Sequence, residues 1–310
     1  MSRFLGLDTS NYRTSAALYD SSAGTFAMEG RLLSVEAGQR GLRQSDALFL
    51  HTRALPEILT AVYDRAPGPV EAVGVSDAPR SVEGSYMPCF LAGVSAASAA
   101  ARALGVPLYR FSHQMGHVAA AAVSAGVPEW LEREFLCWHL SGGTTELVRV
   151  RPGRERLFDC DAVFATSDIS AGQAIDRAGV YLGLSFPCGG ELEQLAARGD
   201  AEAARPSIRE DRVSLSGLEN QTKARIDRGD APEDVAAFVQ KSVIRAVEAS
   251  TEAAMSKFPG LPLLCGGGVS ANGALRRRME ERFGARFPAP AFAGDNAAGI
   301  AYLTSISFNR

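Results

Sequence analysis

Arg3-Phe4-Leu5-Gly6-Leu7-Asp8-Thr9-Ser10, followed at once by Asn11-Tyr12-Arg13-Thr14-Ser15-Ala16-Ala17-Leu18-Tyr19, is the stretch that decides the fold. An apolar run over 3–7 gives way to polar residues, and a second apolar run over 14–19 follows, so the chain opens as a β-hairpin with a polar turn. The same device returns at Phe135-Leu136-Cys137-Trp138-His139-Leu140, where Ser141-Gly142-Gly143-Thr144-Thr145 breaks an apolar strand that resumes over 146–150. After the first hairpin come helical spacing over 44–64, a strand over 70–75 and an uncharged small-residue helix over 84–101. After the second come helices over 171–183, 191–198 and 232–257. A strand over 261–265 then runs into Gly266-Gly267-Gly268-Val269-Ser270-Ala271-Asn272 and a further helix.

Two halves, each a hairpin followed by alternating helix and strand, predict an α/β protein. The pattern suggests the duplicated actin/sugar-kinase/heat-shock-ATPase-like fold, with two lobes and a nucleotide in the interlobe cleft. The boundary is drawn at residue 110, giving an N-terminal lobe over 1–110 and a C-terminal lobe over 111–310 with the metal and nucleotide residues. Composition agrees: 310 residues with 46% hydrophobic content suit two lobes with their own cores. Lys+Arg 32 against Asp+Glu 35 leave a net charge of -3, so nucleic acid is not held by bulk electrostatics and any RNA contact is local. Five scattered cysteines without a CxxC pair read as reduced thiols in a cytoplasmic protein. The 84–101 stretch, built from Ala, Ser and Gly around Pro88, is too weakly apolar for a membrane span.

The polar turn Asp8-Thr9-Ser10 is where chemistry would sit, and these three are the candidate catalytic residues. His113-Gln114-Met115-Gly116-His117 places two of only four histidines at i and i+4, on one face if the segment is helical, which is a preorganised metal pair; surface or capping histidines are the alternative. The spacing also matches the zinc-peptidase helix, but Gln114 stands where that chemistry needs a glutamate base, so peptidase activity is not expected. Ser141-Gly142-Gly143-Thr144-Thr145 offers unobstructed backbone N–H groups and hydroxyls to a phosphate, with a plain hairpin turn as the alternative. Gly266 to Gly268 before a helix let a ligand approach the helix N-terminus, where Asn272 can read a base or ribose, with a tight structural turn as the alternative. Asp295-Asn296 opens the last helix either as an N-cap or as a third oxygen ligand. The basic run Arg276-Arg277-Arg278 has no assigned role.

In this order, these pieces resemble the tRNA threonylcarbamoyladenosine synthase family (TsaD/Gcp, formerly called O-sialoglycoprotein endopeptidases), as a divergent member. The family pattern runs G-I-E-T-S-C-D-E-T, H-x-E-G-H, V-S-G-G-H-T, G-E-A-F-D-K with Y-P-G-G, F-S-F-S-G-L, A-G-G-V-S-A-N and D-N-G-A-M-I-A. This chain answers at 6–14, 113–117, 140–145, 172–177 with Phe186-Pro187-Cys188-Gly189, 213–218, 267–272 and 295–301. The resemblance implies a divalent metal, iron or zinc, on His113, His117 and Asp295. It implies an adenine nucleotide, threonylcarbamoyl-adenylate or ATP, on Leu140, Ser141, Gly142, Gly143, Thr144, Asp176, Gly189 and Asn272. The implied reaction moves a threonylcarbamoyl group from its adenylate to the exocyclic amine of the adenine beside the tRNA anticodon. Its implied partners are tRNA, the other proteins of the modification pathway and a paralogous actin-like subunit in a heterodimer, with no membrane. Two departures stand out: Asn11-Tyr12-Arg13 replaces the family's Cys-Asp-Glu, and Thr144 replaces a His. The loss of the acidic pair predicts slower transfer. It also leaves two other readings, a nucleotide- and metal-binding paralogue acting as a non-catalytic partner, and a carbamoyl transferase with another acceptor.

Overall fold

The computed structural model describes every residue except 1, 11, 35–41, 155 and 295. The first hairpin is present: β1 (Arg3–Ser10) pairs antiparallel with β2 (Arg13–Asp20), which pairs in turn with β3 (Thr25–Leu32). Then follow α1 (Gln44–Arg65), β4 (Ala72–Ala78), α2 (Phe90–Leu104), β5 (Leu108–Ser112) and α3 (His113–Ser124). The second hairpin is β6 (Phe135–Leu140) with β7 (Thr145–Pro152), extended by β8 (Phe158–Thr166). Next come α4 (Ala171–Tyr181), α5 (Gly189–Ala196), β9 (Ser207–Arg209), β10 (Arg212–Ser214), α6 (Ser216–Asp227) and α7 (Pro232–Lys257). The chain closes with β11 (Leu263–Gly266), α8 (Gly273–Phe283), α9 (Pro290–Ala293) and α10 (Ala297–Phe308).

Contacts divide the chain into one unit of residues 1–132, 152–160 and 294–310, and another of 133–151 and 161–293. The first unit holds a sheet of order β3-β2-β1-β4-β5, the second a sheet of order β11-β6-β7-β8-β10-β9. The line drawn at residue 110 from the sequence therefore differs from the contact division. Residues 111–132 stay with the first sheet because α3 packs on α10, β4 and β5.

Three local readings change. Asp8, Thr9 and Ser10 are not a turn but the end of β1, in register with Ser15, Thr14 and Arg13 of β2. Their side chains are buried, so the ladder overrides the turn preference of Asp and Ser. The small-residue helix starts at Phe90 rather than 84, just after Pro88, and ends on Gly105 in a left-handed cap. The edge strand β3, whose Glu29-Gly30-Arg31 hides its strand pattern, was not anticipated.

What positions the site is α10. It lies on β1 and on α3 so closely that side chains are excluded: a Cβ on Gly6 would sit 2.4 Å from the Ala297 carbonyl oxygen, and one on Gly299 only 1.9 Å from that of Gly116. Both obstacles are backbone and cannot swing aside. Gly299→Ala is expected to lower the unfolding free energy by about 2 to 3 kcal/mol, with a matching fall in melting temperature. Gly190→Ala, whose added methyl meets open space, is the control expected within about 0.5 kcal/mol or slightly stabilised. A melting temperature for Gly299→Ala equal to wild type would contradict the close approach.

Candidate metal and nucleotide sites

Strand alternation puts Asp8 and Ser10 on the face of β1 that α3 and α10 cover, and Thr9 on the other. Asp8 is 1% exposed, and every group it meets donates to it. The Ser10 N–H donates to Oδ1 at 2.8 Å, while the Asn296 amide donates to Oδ2 at 2.6 Å and the Ser10 hydroxyl at 3.3 Å. His113 Nδ1 lies 2.7 Å from the same Oδ2. Burial pushes the Asp8 carboxyl up, but attraction to His113 and the hydrogen bonds of His113, Asn296 and Ser10 outweigh it and hold it below the usual carboxylate range. The 2.7 Å contact with an ionised Asp8 places a proton on His113 Nδ1; in the neutral imidazole Nε2 then keeps its lone pair.

That Nε2 points at its neighbour. Ser112 caps α3 by accepting from Met115 N, so the helix begins at His113 itself and His117 stands one turn on. The two Nε2 atoms are 3.0 Å apart, with ring centroids at 4.3 Å, and the Ser10 hydroxyl is 3.3 Å from His113 Nε2. Two imidazole nitrogens converging on one point, one braced from behind by a buried carboxylate, fit the donor chemistry of a divalent transition metal. The third expected ligand, Asp295, lies outside the described residues. Among the described residues no three His, Cys, Asp or Glu side chains form a ready metal cage.

Asn296, read from sequence together with Asp295 as an N-cap or an oxygen ligand, makes no capping bond. Its amide turns to Asp8 instead, into space left by Gly116, where a Cβ would come within 2.6 Å of Asn296 Oδ1. Thr9 is not with this cluster: its hydroxyl donates to the Cys89 carbonyl and accepts from Gly93 N, tying β1 to α2. The guanidinium of Arg13 lies over Gly30 of β3, on the side of β2 away from β1. Asn11 is outside the described residues.

In the second unit the expected nucleotide residues are joined in a ring of contacts. The 141–144 turn closes through Ser141 N donating to Thr144 O at 2.8 Å and Thr144 N to Ser141 Oγ at 3.0 Å. It sits on the first turn of α4: Ser170, in a reciprocal capping box with Gln173, donates to Gly142 O, and Ala171 N donates to Thr145 Oγ1. Asp176, further along α4, accepts from Cys188 N at 2.9 Å, next to Gly189 at the start of α5. Burial pushes the Asp176 carboxyl up, only partly offset by that bond. From α5, Glu193 accepts from Gly273 N of α8. Asn272 caps α8, its Oδ1 accepting from Leu275 N at 2.9 Å and Gln240 Nε2 at 3.2 Å. The ring closes at Gly267, whose φ of 90° and approach to the Leu140 carbonyl admit no side chain.

Sequence reading missed Asp168, Glu193 and Gln240, which carry no motif of their own. Asp168 accepts from the hydroxyls and backbone of Ser214 to Ser216 and from Ile169 N. Although burial opposes ionisation, these bonds lower its carboxyl to about 2. A depressed folded pKa gives a contribution present above the unfolded value near 3.9 and lost as pH falls through about 2. Asp168 is exposed, so Asp168→Asn is expected to cost only about 1 kcal/mol at neutral pH. The difference from wild type should vanish in chemical denaturation near pH 2; a constant difference at both pH values would contradict it.

A family model described as tRNA N6-adenosine threonylcarbamoyltransferase matches residues 50–302. The chain is 31% identical over 270 residues, 84% of its length and 75% of the relative's, to the tRNA N6-adenosine threonylcarbamoyltransferase of Methanopyrus kandleri. It is 34% identical over 271 residues, 82% of its length and 78% of the relative's, to the enzyme of that name from Streptococcus pneumoniae. Among solved structures it resembles a ROK family glucokinase from Streptomyces griseus, with a TM-score of 0.56 at 14% identity over 98% of this chain and 100% of that one. That likeness concerns the fold and agrees with the sugar-kinase-like architecture read from the two hairpins.

Proposed function

Because the chain belongs to the tRNA N6-adenosine threonylcarbamoyltransferase family, we propose that it transfers a threonylcarbamoyl group from its adenylate to the exocyclic amine of an adenine beside the anticodon of tRNA. The observation that carries this reading is the family match over residues 50–302, which spans the braced histidine pair and every member of the glycine-rich ring. In the transfer, the amine nitrogen attacks the carbamoyl carbon and releases one proton to solvent, the bond from that carbon to the adenylate's phosphate oxygen breaks, and AMP leaves with the bonding pair.

His113 and His117 would hold the divalent ion through Nε2, with Asp295 as the third ligand; two imidazoles and a carboxylate suit iron(II) or zinc alike. When bound, the ion supplies a Lewis acid toward the donor's oxygens. The chain's own part is positioning. The N–H groups of Gly142 and Gly143, which take no part in the bonds that close the turn and cap α4, are the proposed contacts to the adenylate's phosphate. Asp176, Gly189 and the Nδ2 of Asn272 are the proposed contacts to its sugar and base. Asp8 is a positioning residue rather than a base: its oxygens are fully engaged, and it works by orienting His113. Ser10, on the same face, keeps its hydroxyl 3.3 Å from His113 Nε2. Thr9 has only a structural part in this reading. Gln114 cannot take a proton, so the histidine helix does not serve peptide hydrolysis. Among the described residues no helix is long and apolar enough to cross a membrane.

The test is incubation with labelled threonine, bicarbonate, ATP, unmodified tRNA and the other proteins of the pathway, scored for label in tRNA. Wild type is expected to label tRNA, and His117→Ala to lose bound metal and at least about a hundredfold of the rate. Absence of label with wild type, while a relative's enzyme labels the same tRNA, would favour a non-catalytic paralogue and overturn the reading.

A further inference from the structure

A second feature of the 133–151 and 161–293 unit has no part in the ring of nucleotide residues. It is an open groove of about 830 Å³ between one face of α7, one face of α8 and the segment around residue 205. Six cationic side chains line it, Arg205, Lys241, Arg245, Arg277, Arg278 and Arg282, against three acidic ones, Glu248, Glu252 and Glu281, a surplus of three positive charges in a chain whose net charge is -3. The acids are used unevenly. Glu248, 6% exposed, holds Arg278 at 2.9 Å and Arg282 at 3.6 Å, and Arg282 also pairs with Glu252. Lys241 pairs with the fully exposed Asp200 at 2.9 Å. Among the described residues no carboxylate forms an ion pair with Arg205, Arg245 or Arg277, all three exposed. Of the basic run on α8, Arg276 turns away to the Pro288 carbonyl and the Phe287 ring, so Arg277 and Arg278 are the ones that reach the groove.

The geometry points to this groove as a track for the phosphate backbone of the RNA substrate, a proposal that rests on the tRNA-modifying reading. Charge complementarity selects the occupant. From Lys241 to Glu252 the α7 wall runs about 16 Å at roughly 1.5 Å per residue, long enough to face several successive phosphates of one strand. The groove is faced by guanidinium forks, which hold phosphate bidentately and carry no base specificity. A chain with no overall positive charge needs such a local surplus to hold RNA, and the buried Glu248 keeps two of the forks in place without neutralising the other three.

The test measures binding of labelled, unmodified tRNA to the full chain across a salt series. It compares wild type with a triple variant, Arg205→Ser, Arg245→Ser and Arg277→Ser, and with the matching triple Lys variant. At roughly 0.7 per lost phosphate contact, the Ser variant should show a salt slope shallower by about 2 and affinity at least about tenfold weaker near physiological salt. The Lys variant should keep the slope, and thermal unfolding of both should match wild type. Wild-type slope and affinity in the Ser variant, while wild type still labels tRNA in the transfer assay, would overturn the groove and leave the function standing. Unchanged tRNA binding with weakened binding of a polyglutamate peptide would assign the groove to an acidic protein and overturn it as well. No tRNA binding by wild type at any salt, with no label transferred, would overturn both.

Discussion

The contact of α10 with β1 and α3 is the constraint on which the first unit depends. A helix formed by residues 297–308 lies within backbone distance of a strand formed by residues 3–10, because Gly6 and Gly299 remove the side chains between them. The consequence is chemical as well as structural. Asn296, at the start of that helix, arrives beside Asp8 in the first strand and His113 at the head of α3, three residues that no local pattern connects.

Asp8 then determines what the pair can do. A buried carboxylate is costly unless its lone pairs are filled, and here a backbone N–H, an amide, a hydroxyl and an imidazole fill them. The group that gains is His113, whose orientation is fixed with its outer nitrogen facing His117. The same arrangement removes Asp8 from proton transfer with substrate. The replacement of the family's acidic pair by Asn11-Tyr12-Arg13 also looks different once Arg13 is placed: its guanidinium packs over Gly30, and the sheet order carries it away from Asp8.

Much of this was legible in the sequence. The two hairpins, the histidine spacing and the turn at Gly267 were readable because each depends on local geometry: alternation, one turn of helix, or backbone that only glycine can supply. What was not legible depends on partners far away in the chain. Asp8-Thr9-Ser10 has the composition of a turn, and only pairing with Arg13 to Ser15 and burial under α10 make it strand. Asn296 has the composition of an N-cap, yet a carboxylate 288 positions earlier takes its amide. Thr9, adjacent to two site residues, leaves the site through strand alternation alone. Asp168, Glu193 and Gln240 sit in no motif, and their roles come from distant partners: the end of β10 and start of α6 for Asp168, and the start of α8 for Glu193 and Gln240.

The central claim is that Asp8 sets the tautomer of His113 and so aims a lone pair at the point that His117 also faces. Heteronuclear NMR of the imidazole nitrogens in metal-free protein at neutral pH reads this directly. The account predicts that His113 carries its proton on Nδ1, with Nε2 unprotonated, and that Asp8→Asn releases this preference. A proton resident on His113 Nε2 in the wild-type protein, or a tautomer unchanged in Asp8→Asn, would contradict it.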